Sequence, residues 1–284
     1  MLLLDGRICA QECKKKLKER VLADTALGFR PPGLAVIMVG DDPASAIYVR
    51  NKEKEASLLG ISAQTCHLPR ATTEQELLAH IHEFNAASDI DGILVQLPLP
   101  PHISASSCLL AISPDKDVDG FHPNNAGRMT LGLPGLRPCT PQGIVELLSF
   151  YHLSPAGKKA VVVGRSNIVG KPLAIMLAEP LEYANATVTL CHSKTANLAK
   201  ECRSADFLFL SVGSPRMFGR DYVKEGAVVI DVGINRTKEG IVGDADRAAL
   251  EDRVLAITPV PGGEGPMTIA MLLKNTVKAW EQNR

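Results

Sequence analysis

Short, unbroken apolar runs alternate with segments of helical length along this chain, and that alternation narrows its fold more than any other feature. The runs fall at residues 34–39, 93–97, 160–163, 187–190, 207–212, 228–232 and 254–257, each rich in Val, Ile, Leu or Phe. A strand that is apolar on both sides must be covered on both faces. Runs spaced by helices therefore predict parallel sheets with helices packed on either side, an α/β fold. Between the first two runs, Thr73-Glu74-Gln75-Glu76 reads as a capping box opening a helix with Leu77, Leu78, Ile81 and Phe84 on one face. Residues 267–280 read as a last helix striped by Ile269, Leu272, Leu273, Val277 and Trp280.

At about 150 residues per domain, 284 residues suggest two domains. The loop-rich stretch 114–141 separates two strand series and places a boundary near Gly120. Hydrophobic residues make up 45% and charged residues 22%, enough for a sizeable core and against global disorder. Thirty-one basic residues balance 31 acidic ones, which removes the electrostatic motive for nucleic acid or an anionic membrane as partner. The seven cysteines form no Cys-x-x-Cys pair, a pattern of thiols in a reducing compartment rather than a disulfide framework or zinc site. The start, Met1-Leu2-Leu3-Leu4-Asp5, lacks the basic leader of a signal peptide. Residues 92–114 carry no charge, but Gln96, Pro98, Pro100 and Pro101 argue against a spanning helix. A cytoplasmic protein is the expectation.

Residues 161–172, Val-Val-Val-Gly-Arg-Ser-Asn-Ile-Val-Gly-Lys-Pro, read as a strand, a glycine-bounded turn and a helix start. Such a helix N-terminus suits a phosphate. A P-loop is unlike it, because five residues separate the glycines and Pro172 stands where magnesium would need a hydroxyl. The strict Gly-x-Gly-x-x-Gly fingerprint is also absent. The next run ends in Cys191-His192-Ser193-Lys194-Thr195, without the carboxylate that an NAD site places on the ribose. Arg165, Ser193 and Lys194 would suit a 2′-phosphate, hence NADP. The same residues also fit an ordinary turn with surface charges, and spacing alone does not choose.

Asp42-Pro43-Ala44-Ser45 opens a helix with Asp42 as N-cap and Pro43 at the first position. Ser45, Tyr48 and Lys52 then share a face. A lysine on a partly apolar face loses solvation and shifts toward neutrality, which suits acid–base chemistry. The alternative is a solvated face through Asn51-Lys52-Glu53-Lys54-Glu55. Residues 115–120, Asp-Lys-Asp-Val-Asp-Gly, imitate half of a calcium loop, but its twelfth position is Ala126, and His80 and His82 lack further ligands, so no metal is expected. Residues 258–268 hold three prolines and three glycines, a stiff loop at a strand's carboxyl end where α/β sheets bind ligands.

These motifs together resemble the bifunctional methylenetetrahydrofolate dehydrogenase/cyclohydrolase family. The matching residues are Ser45-x-x-Tyr48-Val49-x-x-Lys52-x-Lys54, Gly92 through Gln96 to Pro100, and Lys116-Asp117-Val118-Asp119-Gly120-Phe121. Gly164-Arg165-Ser166 through Pro172, the Cys191–Thr195 segment, Asp231-Val232-Gly233-Ile234-Asn235 and the proline–glycine loop follow in the family's order.

The resemblance implies a folate-binding catalytic domain, residues 1–120 with 267–284, and a Rossmann-like NADP domain, residues 121–266, with folate in the cleft. It implies NADP-dependent oxidation of 5,10-methylenetetrahydrofolate, then hydrolysis to 10-formyltetrahydrofolate. A homodimer, and a place in one-carbon metabolism and purine biosynthesis, come with it. Lys52 would be the acid–base residue and Gln96 would orient it. Tyr48 would stack on folate, and Asp119 would pair with the pterin. Ser45, Pro261, Gly262 and Gly263 would border the substrate. Gly164, Arg165, Ser166, Ile168, Ser193 and Ile234 would hold NADP.

Two positions depart from the family. Glu264 stands where Val is usual, and its carboxylate would repel the substrate's glutamate, weaken the loop's packing or point to solvent. Gly213-Ser214-Pro215-Arg216 replaces a more usual Gly-Lys/Arg-Pro. Two other readings remain at this point. A shikimate-type or amino-acid dehydrogenase explains the nucleotide half but not Tyr48, Lys52, Gln96 and Asp119. A folate- or nucleotide-binding protein without turnover would have Glu264 as its motive.

Overall fold

The computed structural model describes residues 1–283, and all their side chains except that of Ala44. The first half runs β1 (Leu2–Leu3), α1 (Gly6–Ala26), β2 (Gly33–Val39), α2 (Pro43–Leu58), β3 (Ser62–Leu68), α3 (Glu74–Ala86), β4 (Gly92–Val95), α4 (Ala105–Ala111), α5 (Pro123–Thr130) and α6 (Cys139–Phe150). The second runs β5 (Lys159–Val163), α7 (Gly170–Ala178), β6 (Thr187–Cys191), α8 (Leu198–Arg203), β7 (Phe207–Leu210) and β8 (Val228–Asp231). It closes with β9 (Asn235–Thr237), β10 (Gly240–Val242), α9 (Arg247–Leu250), β11 (Ala256–Ile257) and α10 (Glu264–Gln282).

One compact unit comprises Met1–Gln11 and Thr140–Met271, and the other Glu12–Cys139 with the chain from Leu272 onward. This division differs from the one expected from sequence. Residues 1–11 belong with the second strand series because β1 pairs in parallel with β11, Leu2 opposite Ala256 and Leu3 opposite Ile257. Two exposed residues are too short a strand to show a pattern. Residues 121–139 stay with the first series. The buried Asp117 carboxylate accepts there from the N–H groups of Phe121 and His122 and from Asn125 Nδ2.

The six-stranded unit has the order β1-β11-β8-β7-β5-β6, parallel throughout. Its inner strands β5, β7 and β8 are buried almost throughout because both faces are covered, whereas the edge strands β1 and β6 are partly exposed. Val161, Leu208 and Val229 join a core with Phe218 and Leu250, and the rings of Phe207 and Phe209 stack 6.5 Å apart. The chain leaves β5 for β6 on one side and returns to β7 on the other. That reversal opens a crevice at the strands' carboxyl ends.

The three-stranded unit has β2 between β3 and β4, all parallel. Every residue of β2 is buried. The edge strand β3, Ser-Ala-Gln-Thr-Cys-His-Leu, is half exposed, so its polar residues hid it from a search for apolar runs. The expected α3 begins as predicted: Glu76 N–H donates to Thr73 Oγ1 and Thr73 N–H to Glu76 Oε2.

Candidate active site

In the three-stranded unit, helix α2 starts where Asp42 Oδ1 accepts from the Ser45 N–H at 2.7 Å and Pro43 needs no partner for a missing N–H. Ser45 is 7% exposed, Tyr48 40%, and Lys52 is half-buried. The helix face is not simply solvated: Glu55 pairs with Lys14 at 2.7 Å, and Glu53 accepts from Thr65. Lys52 Nζ reaches Gln96 Oε1 at 3.0 Å. Gln96 is well placed to receive it. Its backbone N–H donates to Ile37 O at 2.8 Å, extending the β2–β4 ladder, and its Nε2 donates to Leu97 O at 2.7 Å.

Asp119 sits on a turn that the sequence left ambiguous. Asp117 is 1% exposed, and its oxygens accept from the turn's own N–H groups and from Asn125. Gly120, at φ 75°, closes the turn where a Cβ would lie 2.3 Å from the Arg137 carbonyl carbon. From below, Asn275 Nδ2 donates to Val118 O and Arg137 O, both at 2.8 Å. Neither Asp117 nor Asn275 was singled out from sequence, because a buried polar residue that serves the backbone has no spacing signature. Burial pushes the Asp119 carboxyl up to about 6; the Lys52 charge pulls it down and Asp117 pushes it further up. Ammonium, amide oxygen and half-buried carboxylate thus belong to one unit, a set able to move a proton and to bind hydrogen-bond donors.

In the six-stranded unit, Val163 is in register with Cys191, and Gly164 N–H donates to Cys191 O at 2.9 Å. Arg165 and Ser193 therefore leave adjacent strand ends side by side. A Cβ on Gly170 would lie 1.9 Å from Gly164 O, so the turn before α7 closes only with glycine. Ser166 Oγ accepts from Val169 N–H at 3.1 Å. After β6, His192 N–H donates to Thr195 Oγ1 and Lys194 N–H to His192 Nδ1, leaving Ser193 and Lys194 exposed. No carboxylate pairs with Arg165 among the described residues, and Ile168 (45% exposed) and Ile234 (52%) stand open as apolar rims. An exposed guanidinium, a hydroxyl and no acid on the ribose strand fit NADP.

Pro261, Gly262 and Gly263 also lie in the six-stranded unit. Gly6 N–H donates to Gly262 O at 2.9 Å, and a Cβ on Gly6 would lie 1.9 Å from Gly263 O. The chain's first turn thus clasps the proline–glycine loop. Glu264 opens α10, three residues before the expected start. It does not point to solvent. It is 5% exposed, lies against Gly143 and finds no hydrogen-bond partner for either carboxylate oxygen among the described residues. Burial pushes its carboxyl up to about 8, so it is mostly neutral at pH 7. Repulsion of an anionic substrate is then not its effect.

A parallel six-stranded sheet with a phosphate-suited turn, and a second α/β unit bearing a lysine–glutamine pair and a raised aspartate, define a two-unit dinucleotide-dependent enzyme. Two family models match: tetrahydrofolate dehydrogenase/cyclohydrolase, catalytic domain, over residues 4–119, and its NAD(P)-binding domain over residues 138–284. The chain belongs to the tetrahydrofolate dehydrogenase/cyclohydrolase family. The bifunctional protein FolD of Desulfovibrio desulfuricans is 60% identical over 282 residues, 99% of each chain. Among solved structures, the Campylobacter jejuni bifunctional methylenetetrahydrofolate dehydrogenase/cyclohydrolase has a TM-score of 0.96 at 47% identity, covering 100% of both chains. The Trypanosoma brucei dehydrogenase–cyclohydrolase, complexed with NADP and an inhibitor, has a TM-score of 0.92 at 36% identity, covering 99% of this chain and 98% of its own. No described helix is long and apolar enough to cross a membrane.

Proposed function

We propose that this chain oxidises 5,10-methylenetetrahydrofolate with NADP and hydrolyses the resulting 5,10-methenyl form to 10-formyltetrahydrofolate, two steps of one-carbon metabolism. The contact between Lys52 Nζ and Gln96 Oε1 carries this reading, because it supplies the proton-moving group that the second step needs. Bound NADP supplies the nicotinamide that accepts a hydride. For that step the chain needs only to hold and align its ligands, because the folate nitrogens stabilise the cation formed.

Hydrolysis asks more. Water adds to the methenyl carbon and loses a proton; the ring then opens as its nitrogen gains one. Lys52 is the catalytic residue that moves these protons, and Gln96 is the positioning residue that aims it. Tyr48 stacks on the folate, and the Asp119 carboxylate accepts from the donor edge of the pterin. Ser45, Pro261, Gly262 and Gly263 border the substrate. Gly164, Arg165, Ser166, Ile168, Ser193 and Ile234 hold the cofactor, with Arg165 and Ser193 on the 2′-phosphate.

We further assign the folate chemistry to the three-stranded unit and the cofactor to the six-stranded one. The working form is a cytoplasmic homodimer that takes neither nucleic acid nor membrane as partner. The balanced charge supports the absence of polyanion partners, and light scattering tests the dimer. The binding-only alternative loses its motive, because Glu264 is mostly neutral at pH 7. Mixing the protein with 5,10-methylenetetrahydrofolate and NADP, and following NADPH and methenyl absorbance together, tests both activities. NADPH without lasting methenyl build-up, beyond uncatalysed hydrolysis, is expected; no NADPH from folded protein would restore the binding-only reading.

A further inference from the structure

Behind the cofactor crevice lie two aspartates, Asp231 at the end of β8 and Asp244 after β10, only 3% and 0% exposed. Neither has a cationic partner among the described residues, and both are met by N–H groups. Asp244 Oδ2 accepts from the backbone of Val212 at 2.7 Å and Gly213 at 3.1 Å. Its Oδ1 accepts from Ser214 N–H at 2.8 Å and Asn235 Nδ2 at 2.9 Å. Asp231 in turn accepts from the N–H of Asp244 at 3.0 Å, of Gly233 at 2.9 Å and of Ala245 at 2.8 Å. Burial pushes the Asp231 carboxyl up to about 6 against the pull of those donors. Glycines make the approach possible. A Cβ on Gly233 would lie 2.3 Å from Asp244 Cγ, and one on Gly243 1.9 Å from Asp231 Oδ2.

Three successive backbone N–H groups converging on one anion form a nest, the concavity that elsewhere binds phosphate. Here the chain's own carboxylate fills it. Two neighbouring buried carboxylates without countercharge are costly to keep, and a loop can be closed more cheaply by neutral groups. What the clamped loops touch accounts for keeping them. Ser211, just before the nest, packs on the dinucleotide turn: a Cβ on Gly164 would lie 2.4 Å from its Oγ. Asn235, the fourth donor, follows Ile234.

We propose that Asp244, itself held by Asp231, is a positioning residue for NADP. It fixes the loops at 211–214 and 233–235 in the spacing that admits the cofactor. By filling the nest, it also leaves the turn at 164–170 as the seat for the cofactor's phosphates. This inference rests on the NADP reading above. Asp244→Asn keeps the size but turns an acceptor into a donor facing N–H groups, and Asn235→Ala removes one of the four donors while leaving the carboxylate. Two readouts are needed: equilibrium titration of the folate-free full chain with NADP, and hydrolysis of 5,10-methenyltetrahydrofolate without NADP.

The expected result is NADP affinity weakened about tenfold or more in Asp244→Asn and about threefold in Asn235→Ala, with hydrolysis within about twofold of wild type. If Asp244→Asn does not fold, Asn235→Ala decides. Unchanged NADP affinity in the folded variants overturns the inference, as does an equal loss of hydrolysis and binding in Asn235→Ala, which marks a merely structural role. A wild-type chain that hydrolyses the methenyl form but takes up no NADP overturns the cofactor reading and this inference with it.

Discussion

Lys52 Nζ donates to Gln96 Oε1 across 3.0 Å, and Gln96 presents that oxygen because its Nε2 is engaged by Leu97 O at 2.7 Å. The amide cannot turn round without losing both bonds. Lys52→Met should therefore slow methenyl hydrolysis by at least about a hundredfold, the ordinary worth of a positioned acid–base group. Folate binding should persist, since the methionine keeps the stem. Gln96→Ala should leave the lysine unaimed and cost about tenfold. Methenyl absorbance decay checks both, and an unimpaired Lys52→Met would remove the lysine from the chemistry.

The guanidinium of Arg165 is exposed and unpaired among the described residues, at a strand end next to Ser193. A bidentate charge-assisted contact to a phosphate is worth about 1.5–3 kcal/mol, which is roughly ten- to a hundredfold in affinity. Arg165→Ala should weaken NADP by that factor and NAD by less than about threefold, because NAD has no 2′-phosphate to lose. Titration with the two dinucleotides decides it. Equal losses would take Arg165 away from the 2′-phosphate.

The repeated apolar runs made the parallel sheets legible, since strands such as β2 and β7 are buried on both sides and cannot vary in polarity. Among the partly exposed elements, β6 kept enough apolar residues to be read, whereas the polar edge strand β3, the two-residue β1 and the β9–β10 hairpin were not legible. The site divides along a similar line. Lys52, Tyr48 and Ser45 share a helical face, so their spacing showed them; Asn275 and Asp244 bond to backbone brought from far along the chain, and Asp117 serves its own turn, none of which leaves a spacing signature. Glu264 was conspicuous as an unusual residue, yet no pattern in its neighbours told that its carboxylate is buried against Gly143.

Asp119 makes folate affinity depend on acidity. Its carboxyl is raised to about 6 chiefly by burial, above an ordinary value of 3.8. For folding, the retained proton favours the native chain below the ordinary value, and that contribution is lost as pH rises through about 6. For binding the sign is opposite, because only the ionised form accepts from both pterin donors. Affinity for tetrahydrofolate should fall below about pH 6, by at most about tenfold per pH unit, and Asp119→Asn should bind weakly with no such slope. Calorimetric titrations between about pH 5 and 7 read this directly, and a flat wild-type profile would separate Asp119 from the pterin.

Glu264 makes stability depend on pH in the direction opposite to a salt-bridged acid. Its carboxyl rises from an ordinary 4.5 to about 8 in the native chain because burial, with no partner for either oxygen among the described residues, penalises the anion. Between those values the native chain holds a proton that the unfolded chain has released. Stability therefore falls as pH rises across that window, by up to about 5 kcal/mol, and the loss is complete above about 8. Glu264→Gln carries no such proton. Its melting temperature should match wild type within a few degrees near pH 5 and exceed it increasingly toward about pH 8.5. Glu264→Val, which also removes the buried polar atoms, should be the more stable of the two. Thermal melts of the three chains across that range check the prediction; parallel curves for wild type and Glu264→Gln would mean that the carboxyl finds a partner in solution.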